Sequence, residues 1–101
     1  MTIRRTDSDD PDFKALVKML DADLAIRDGA EHSFYSQFNK IDKIRHAVVC
    51  LENGIPVGCG AIRAFSNEAM EVKRMYVAPE GRQKGIATRL LVELEAWAKE
   101  L

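Results

Sequence analysis

Between Arg82 and Thr88 the chain reads Arg-Gln-Lys-Gly-Ile-Ala-Thr, and these residue types at this spacing could hold a phosphate. The stretch follows Met75-Tyr76-Val77-Ala78-Pro79, which has the composition of a strand running into a turn, and it precedes an apolar run with helical spacing. A helix leaves the N–H groups of its first turn without partners of its own, and an anion at that end accepts them while meeting the positive end of the dipole. Gly85 places no side chain between the backbone and such an anion. Arg82 and Lys84 add positive charge at the same mouth. Taken alone, one glycine between two cations also suits an ordinary turn with solvated basic side chains.

A second set of residues could move protons. Glu71 lies on the strand before the loop, and in a regular strand alternate residues share a face, which puts Glu71 in phase with Met75 and Val77. A carboxylate there could act as a base, or could be a rim group paired with Lys73 or Arg74. Tyr35 and His46 are further candidates for a cleft, although a tyrosine on an apolar helical face suits the core and a histidine entering a strand suits solvent. His32 stands apart from any other ligand type. Cys50 and Cys59 sit in apolar stretches without CxxC spacing, so they are expected as buried free thiols, and no metal site is expected.

These side chains need elements to position them. Ile3 to Thr6 suits a short first strand. Asp7-Ser8-Asp9-Asp10-Pro11 then supplies cap residues and a proline for a first helical turn. Phe13, Leu16, Val17, Leu20 and Leu24 form one apolar stripe, with Gly29 as the stop. Phe34, Tyr35, Phe38 and Ile41 repeat the period more weakly and suggest a second, short helix over 31–42. From His46 the texture becomes β: Ala47 to Leu51 is a strand run, Asn53-Gly54 a two-residue hairpin turn, and Val57 to Phe65 the returning strand. Ser66-Asn67-Glu68 makes another turn before a third antiparallel strand, Met70 to Val77. After the glycine loop, Ile86, Leu90, Leu94, Trp97 and Leu101 keep a helical stripe, with Arg89/Glu93 and Glu95/Lys99 as pairs on the wetter faces.

The chain of 101 residues, 47% hydrophobic, suits a single domain over 1–101. Fifteen basic and sixteen acidic residues leave a net charge of -1, which gives no electrostatic reason to expect nucleic acid or an anionic membrane as partner. There is no signal-peptide pattern and no apolar run long enough to span a bilayer, so a cytoplasmic protein is expected. A Walker lysine pattern and GxGxxG are both absent, which disfavours a generic nucleotide-phosphate domain.

The run EVKRMYVAPEGRQKGIATRLLVELEAWA resembles the acyl-coenzyme A binding core of the GNAT N-acetyltransferase superfamily. Arg82, Gly85 and Ala87 fill its signature of Arg or Gln, two residues, Gly, one residue, then Gly or Ala, in the required place between a strand and an amphipathic helix. The resemblance implies an α/β (α+β) GNAT-like fold with a mostly antiparallel sheet, in the order strand, two helices, three strands, helix. It implies that backbone N–H groups of Arg82, Gln83, Lys84, Gly85, Ile86, Ala87 and Thr88 bind the pyrophosphate of acetyl-CoA, the co-substrate. The pantetheine arm would pair with the backbone near Met75 and Val77, where a local bulge splays the sheet, and Glu71 would be the general base. Acetyl transfer to a primary amine of a small molecule or peptide follows as the leading expectation. A non-catalytic acyl-coenzyme A binding or regulatory module is the alternative.

Family members continue past this helix with a further strand and a helix that often carries a tyrosine acting as general acid. Neither has a counterpart before Leu101, so the domain is expected to be a truncated form. A sheet that ends at 70–77 leaves an open edge, and a homo-oligomer or a complementing chain is expected to cover it.

Overall fold

The computed structural model describes residues 1–28, 44–64 and 69–101, with residues 24–28 by backbone alone. The elements are β1 (Thr2–Thr6), α1 (Pro11–Asp28), β2 (His46–Glu52), β3 (Ile55–Ala64), β4 (Met70–Val77), a 3-10 turn (Pro79–Gly81) and α2 (Ile86–Glu100). The helix expected over 31–42, with His32 and Tyr35, lies outside the described residues, as do Phe65 and the turn expected at 66–68.

The N-terminus of α1 forms where the cap residues require it. Asp10 Oδ1 accepts the N–H groups of Asp12 and Phe13 at 2.8 and 3.2 Å, two donors that the helix cannot satisfy itself. Pro11 follows at the first helical position, where a missing N–H costs nothing. The other carboxylate oxygen of Asp10 accepts from Arg4 at 2.8 Å and from Thr6 at 2.9 Å, so the cap also ties the helix to β1. Burial alone would raise the Asp10 carboxyl, but the hydrogen bonds from Arg4, Thr6 and the first-turn amides outweigh it and hold the group below its ordinary value.

The four strands form one antiparallel sheet in the order β1-β2-β3-β4. Asn53 and Gly54 make the β2–β3 turn with φ of 54° and 80°, both left-handed, which matches the twist of a two-residue hairpin. Alternation divides the core between the two faces. Val49, Cys59, Ala61 and Tyr76 pack with Phe13, Leu16 and Val17 of α1, while Val48, Cys50, Val57 and Ile62 pack with Ile86, Leu90 and Leu94 of α2. A strand covered on both sides carries a continuous apolar run, which is why β2 reads as one. Both cysteines are buried and free.

The stripe on α2 departs from expectation at its end, where Leu101 is 63% exposed and closes no part of the core. Glu93 pairs with Arg5 of β1 at 2.8 Å rather than with Arg89. Arg5 also reaches Glu100 at 2.6 Å and lies over the Trp97 ring, 5.0 Å from its centroid. His46 meets the same ring edge-on at 4.8 Å. It is therefore an aromatic contact at the far end of α2 rather than a group in a cleft.

Candidate functional site

The end of β4 is an open sheet edge among the described residues, and its backbone is irregular where chemistry was expected. Cys59 pairs with Tyr76 and Ala61 with Lys73, so two residues of β4, Arg74 and Met75, face the single residue Gly60. Arg74 takes a φ of 58°, the left-handed turn that inserts the extra residue. The Cys59 thiol, pushed up to about 12 chiefly by burial, donates to the Arg74 carbonyl at 3.3 Å. Gly60 leaves room for the Met75 side chain: a Cβ there would strike the Met75 thioether, which would have to shift.

The bulge reverses the phase of the strand, and this corrects the placement of Glu71. Lys73 shares a face with Ala61, on the α1 side, and Glu71 lies two residues away on that same face. Met75 and Val77 belong to the α2 side. Glu71 is half-exposed and its carboxylate stands 3.6 Å from Lys73 Nζ. Regular alternation puts Glu71 in phase with Met75 and Val77; one inserted residue puts it on the opposite face.

Beyond the bulge the ladder resumes, and Ala78 N–H donates to the Val57 carbonyl at 2.8 Å. Val77, one residue earlier and opposite Gly58, is thus in a non-hydrogen-bonded pair, and its N–H and C=O point away from β3. Arg82 Nε donates to that outward carbonyl at 3.0 Å. The same guanidinium reaches Asp23 of α1 at 3.2 Å and lies 5.9 Å from the centroid of the Tyr76 ring. Burial, with the Asp23 carboxylate second, raises the Tyr76 phenol above its ordinary value. Asp23 and Tyr76 were not signalled by the sequence, since Asp23 is 59 residues from Arg82.

The loop then turns into α2 without a side-chain cap. Gln83 takes φ 66°, and Gly85, the cap residue, takes φ 73° and ψ 17°. The first α-helical bond runs from Arg89 N–H to the Gly85 carbonyl at 3.1 Å, which leaves the N–H groups of Ile86, Ala87 and Thr88 ahead of the ladder. No atom lies within 4 Å of where a Gly85 Cβ would stand, so the space above this turn is open. It forms part of a cleft of about 170 Å³ lined by Val77, Gly81, Arg82, Gln83, Gly85, Ile86, Ala87 and Thr88. Met75 and Lys84 are not in that lining. The Lys84 ammonium turns away to Glu52 at 3.0 Å, so its charge is partnered at the β2–β3 hairpin. Geometrically the cleft offers uncapped helix N–H donors at one end and the outward backbone of Val77 at the other.

The chain belongs to the Acetyltransferase (GNAT) family, whose pattern matches residues 13–101. A protein of Klebsiella pneumoniae assigned as an acyl-CoA N-acyltransferase is 30% identical, with a TM-score of 0.72 over 98% of this chain and 63% of that one. A GNAT family protein of Staphylococcus aureus is 21% identical, with a TM-score of 0.69 over 99% of this chain and 92% of its own. N-acetylglutamate synthase from Neisseria gonorrhoeae, solved with coenzyme A and N-acetyl-glutamate, is 22% identical, with a TM-score of 0.66 over 98% of this chain and 22% of its own. The chain therefore spans less than two thirds of the Klebsiella and Neisseria proteins and most of the Staphylococcus one. No curated protein sequence matches it. The α+β GNAT-like fold with an antiparallel sheet is the one the elements build.

Proposed function

We propose that the chain binds acetyl-CoA in the cleft between β4 and α2 and transfers its acetyl group to a primary amine of a small molecule or peptide. The observation that carries this reading is the uncapped first turn of α2, opened by a left-handed Gly85 with clear space above it. Pyrophosphate is an acceptor of the right charge for those N–H groups. The pantetheine arm would lie along the edge of β4, where the Val77 N–H points outward. That N–H would hydrogen-bond the thioester carbonyl, and more strongly as the carbonyl oxygen gains charge, which is where a donor accelerates the reaction. Family membership and the coenzyme A held by the Neisseria relative support the choice of co-substrate.

The chemical step forms a bond from the amine nitrogen to the acetyl carbon and breaks the bond from that carbon to sulfur. The nitrogen sheds a proton, and the departing thiolate takes one up. Glu71 is the residue proposed to receive the amine proton. Its position on the α1 face means that the acceptor approaches the β4 edge from that side. Its contact with Lys73 favours a second reading, a module that binds acyl-coenzyme A without chemistry, because a carboxylate that partners a surface lysine has a place in the structure without any catalytic role.

A thermal-shift comparison tests the ligand. Acetyl-CoA is expected to raise the midpoint and ATP to leave it unchanged; a shift with ATP alone would overturn the reading. Thiol release measured across a panel of primary amines then separates the two versions: turnover with any amine supports transfer, and binding without turnover supports the module.

A further inference from the structure

We infer that Asp23 is a positioning residue for the coenzyme A loop, acting through Arg82, whose guanidinium braces the end of β4 instead of binding the pyrophosphate. The inference rests on the proposed acyl-coenzyme A site and deepens it. Arg82 opens the loop, yet its guanidinium reaches back along the chain. Nε holds the outward carbonyl of Val77 at 3.0 Å, and a terminal nitrogen holds Asp23 of α1 at 3.2 Å. The group as a whole lies 5.9 Å from the centroid of the Tyr76 ring. Strand β4 and helix α1 thus meet on one planar fork carried by the loop.

Two consequences follow from that geometry. The charge of Arg82 is already opposed by a carboxylate, and Lys84 is likewise occupied by Glu52, so the two cations that flank the loop are each paired away from the anion site. Anion binding is left to the backbone. The brace also sits at the base of the loop. Arg82 is extended, with φ -70° and ψ 154°, and the chain then turns left-handed at Gln83, so fixing Arg82 fixes the direction in which the N–H groups of 83–88 are presented. A lysine cannot reproduce this, because one ammonium point charge does not span a carbonyl, a carboxylate and a ring as a guanidinium does.

The ion pair is half-exposed, so it contributes little to global stability and its effect is local. Calorimetric titration of coenzyme A into Asp23→Asn and Arg82→Lys, at low and moderate salt, reads that effect. Each variant is expected to bind about twofold to fivefold more weakly, the scale of an exposed pair. The dependence on salt should stay as in the wild type, and the double variant should be no weaker than the worse single one. If Arg82 instead meets the phosphates, Asp23→Asn releases a cation and binds coenzyme A more tightly at low salt with a steeper salt dependence, and Arg82→Lys keeps its affinity; either result overturns the inference. A ligand-free measurement keeps the two proposals apart. In proton–nitrogen NMR the Arg82 Nε–H should be protected from exchange in the wild type and lose that protection in Asp23→Asn. Unchanged protection contradicts the brace. A wild-type chain with a protected Nε–H that binds no coenzyme A contradicts the functional reading and leaves the brace standing.

Discussion

At the scale of single residues, the signature Arg82-Gly85-Ala87 was legible because its meaning is local: a left-handed position before a helix favours glycine, and glycine is there. Glu71 was legible as a carboxylate near the edge but not in its orientation. Alternation assumes a regular ladder; the family resemblance implies a bulge near Met75, but nothing in the residue types of Arg74 and Met75 announces that one of them is extra. The arginine adopts φ 58°, a conformation with no strong signature outside glycine and asparagine. Placed on the α1 face, Glu71 has a clear test. Glu71→Gln should leave acetyl-CoA affinity as it is and lower turnover about a hundredfold to ten-thousandfold, the range of a positioned general base. Steady-state thiol release read beside calorimetry checks it. Near-normal turnover would assign the carboxylate to its pair with Lys73 alone.

At the scale of elements, α1 and the β2–β3 hairpin were legible because caps and turns are chemically specific. Asp10 and Pro11 start the helix, and Asn53-Gly54 makes the turn. The Asp23–Arg82 contact was not, because pairs across the fold leave no trace in local spacing. Asp10 provides a prediction with a definite sign. Its folded pKa lies below the unfolded value near 4, so its contribution is fully present above about pH 4 and is lost as pH falls through the depressed folded pKa. Asp10→Ala should cost about 1 kcal/mol at neutral pH, the usual worth of an N-cap, with further loss from Arg4 and Thr6. The gap between variant and wild type should narrow below about pH 4 as Asp10 protonates in the wild type. Urea denaturation at several pH values measures both. An equal gap at every pH would mean that the carboxylate charge plays no part in the cap.

At the scale of the whole molecule, two helices cover the two faces of one sheet, and β4 is left as an edge among the described residues. The proposed site occupies the end of that edge, so acetyl-CoA bound there would compete with any second chain for the same backbone groups. Strand addition by another copy or by a complementing chain is expected in the absence of ligand, and light scattering should show association that acetyl-CoA alters. A monomer at high concentration with and without acetyl-CoA would show that the edge needs no second chain. The central claim, that backbone N–H groups at the start of α2 hold the pyrophosphate, is tested most directly by calorimetric titration of acetyl-CoA into the wild type and Gly85→Val. A branched side chain at φ 73° is strained and fills the open space above the turn. Saturable binding to one site in the wild type, abolished in the variant while its thermal unfolding stays cooperative, is the predicted result. Equal affinity in the two proteins, or no heat of binding in the wild type, would contradict it.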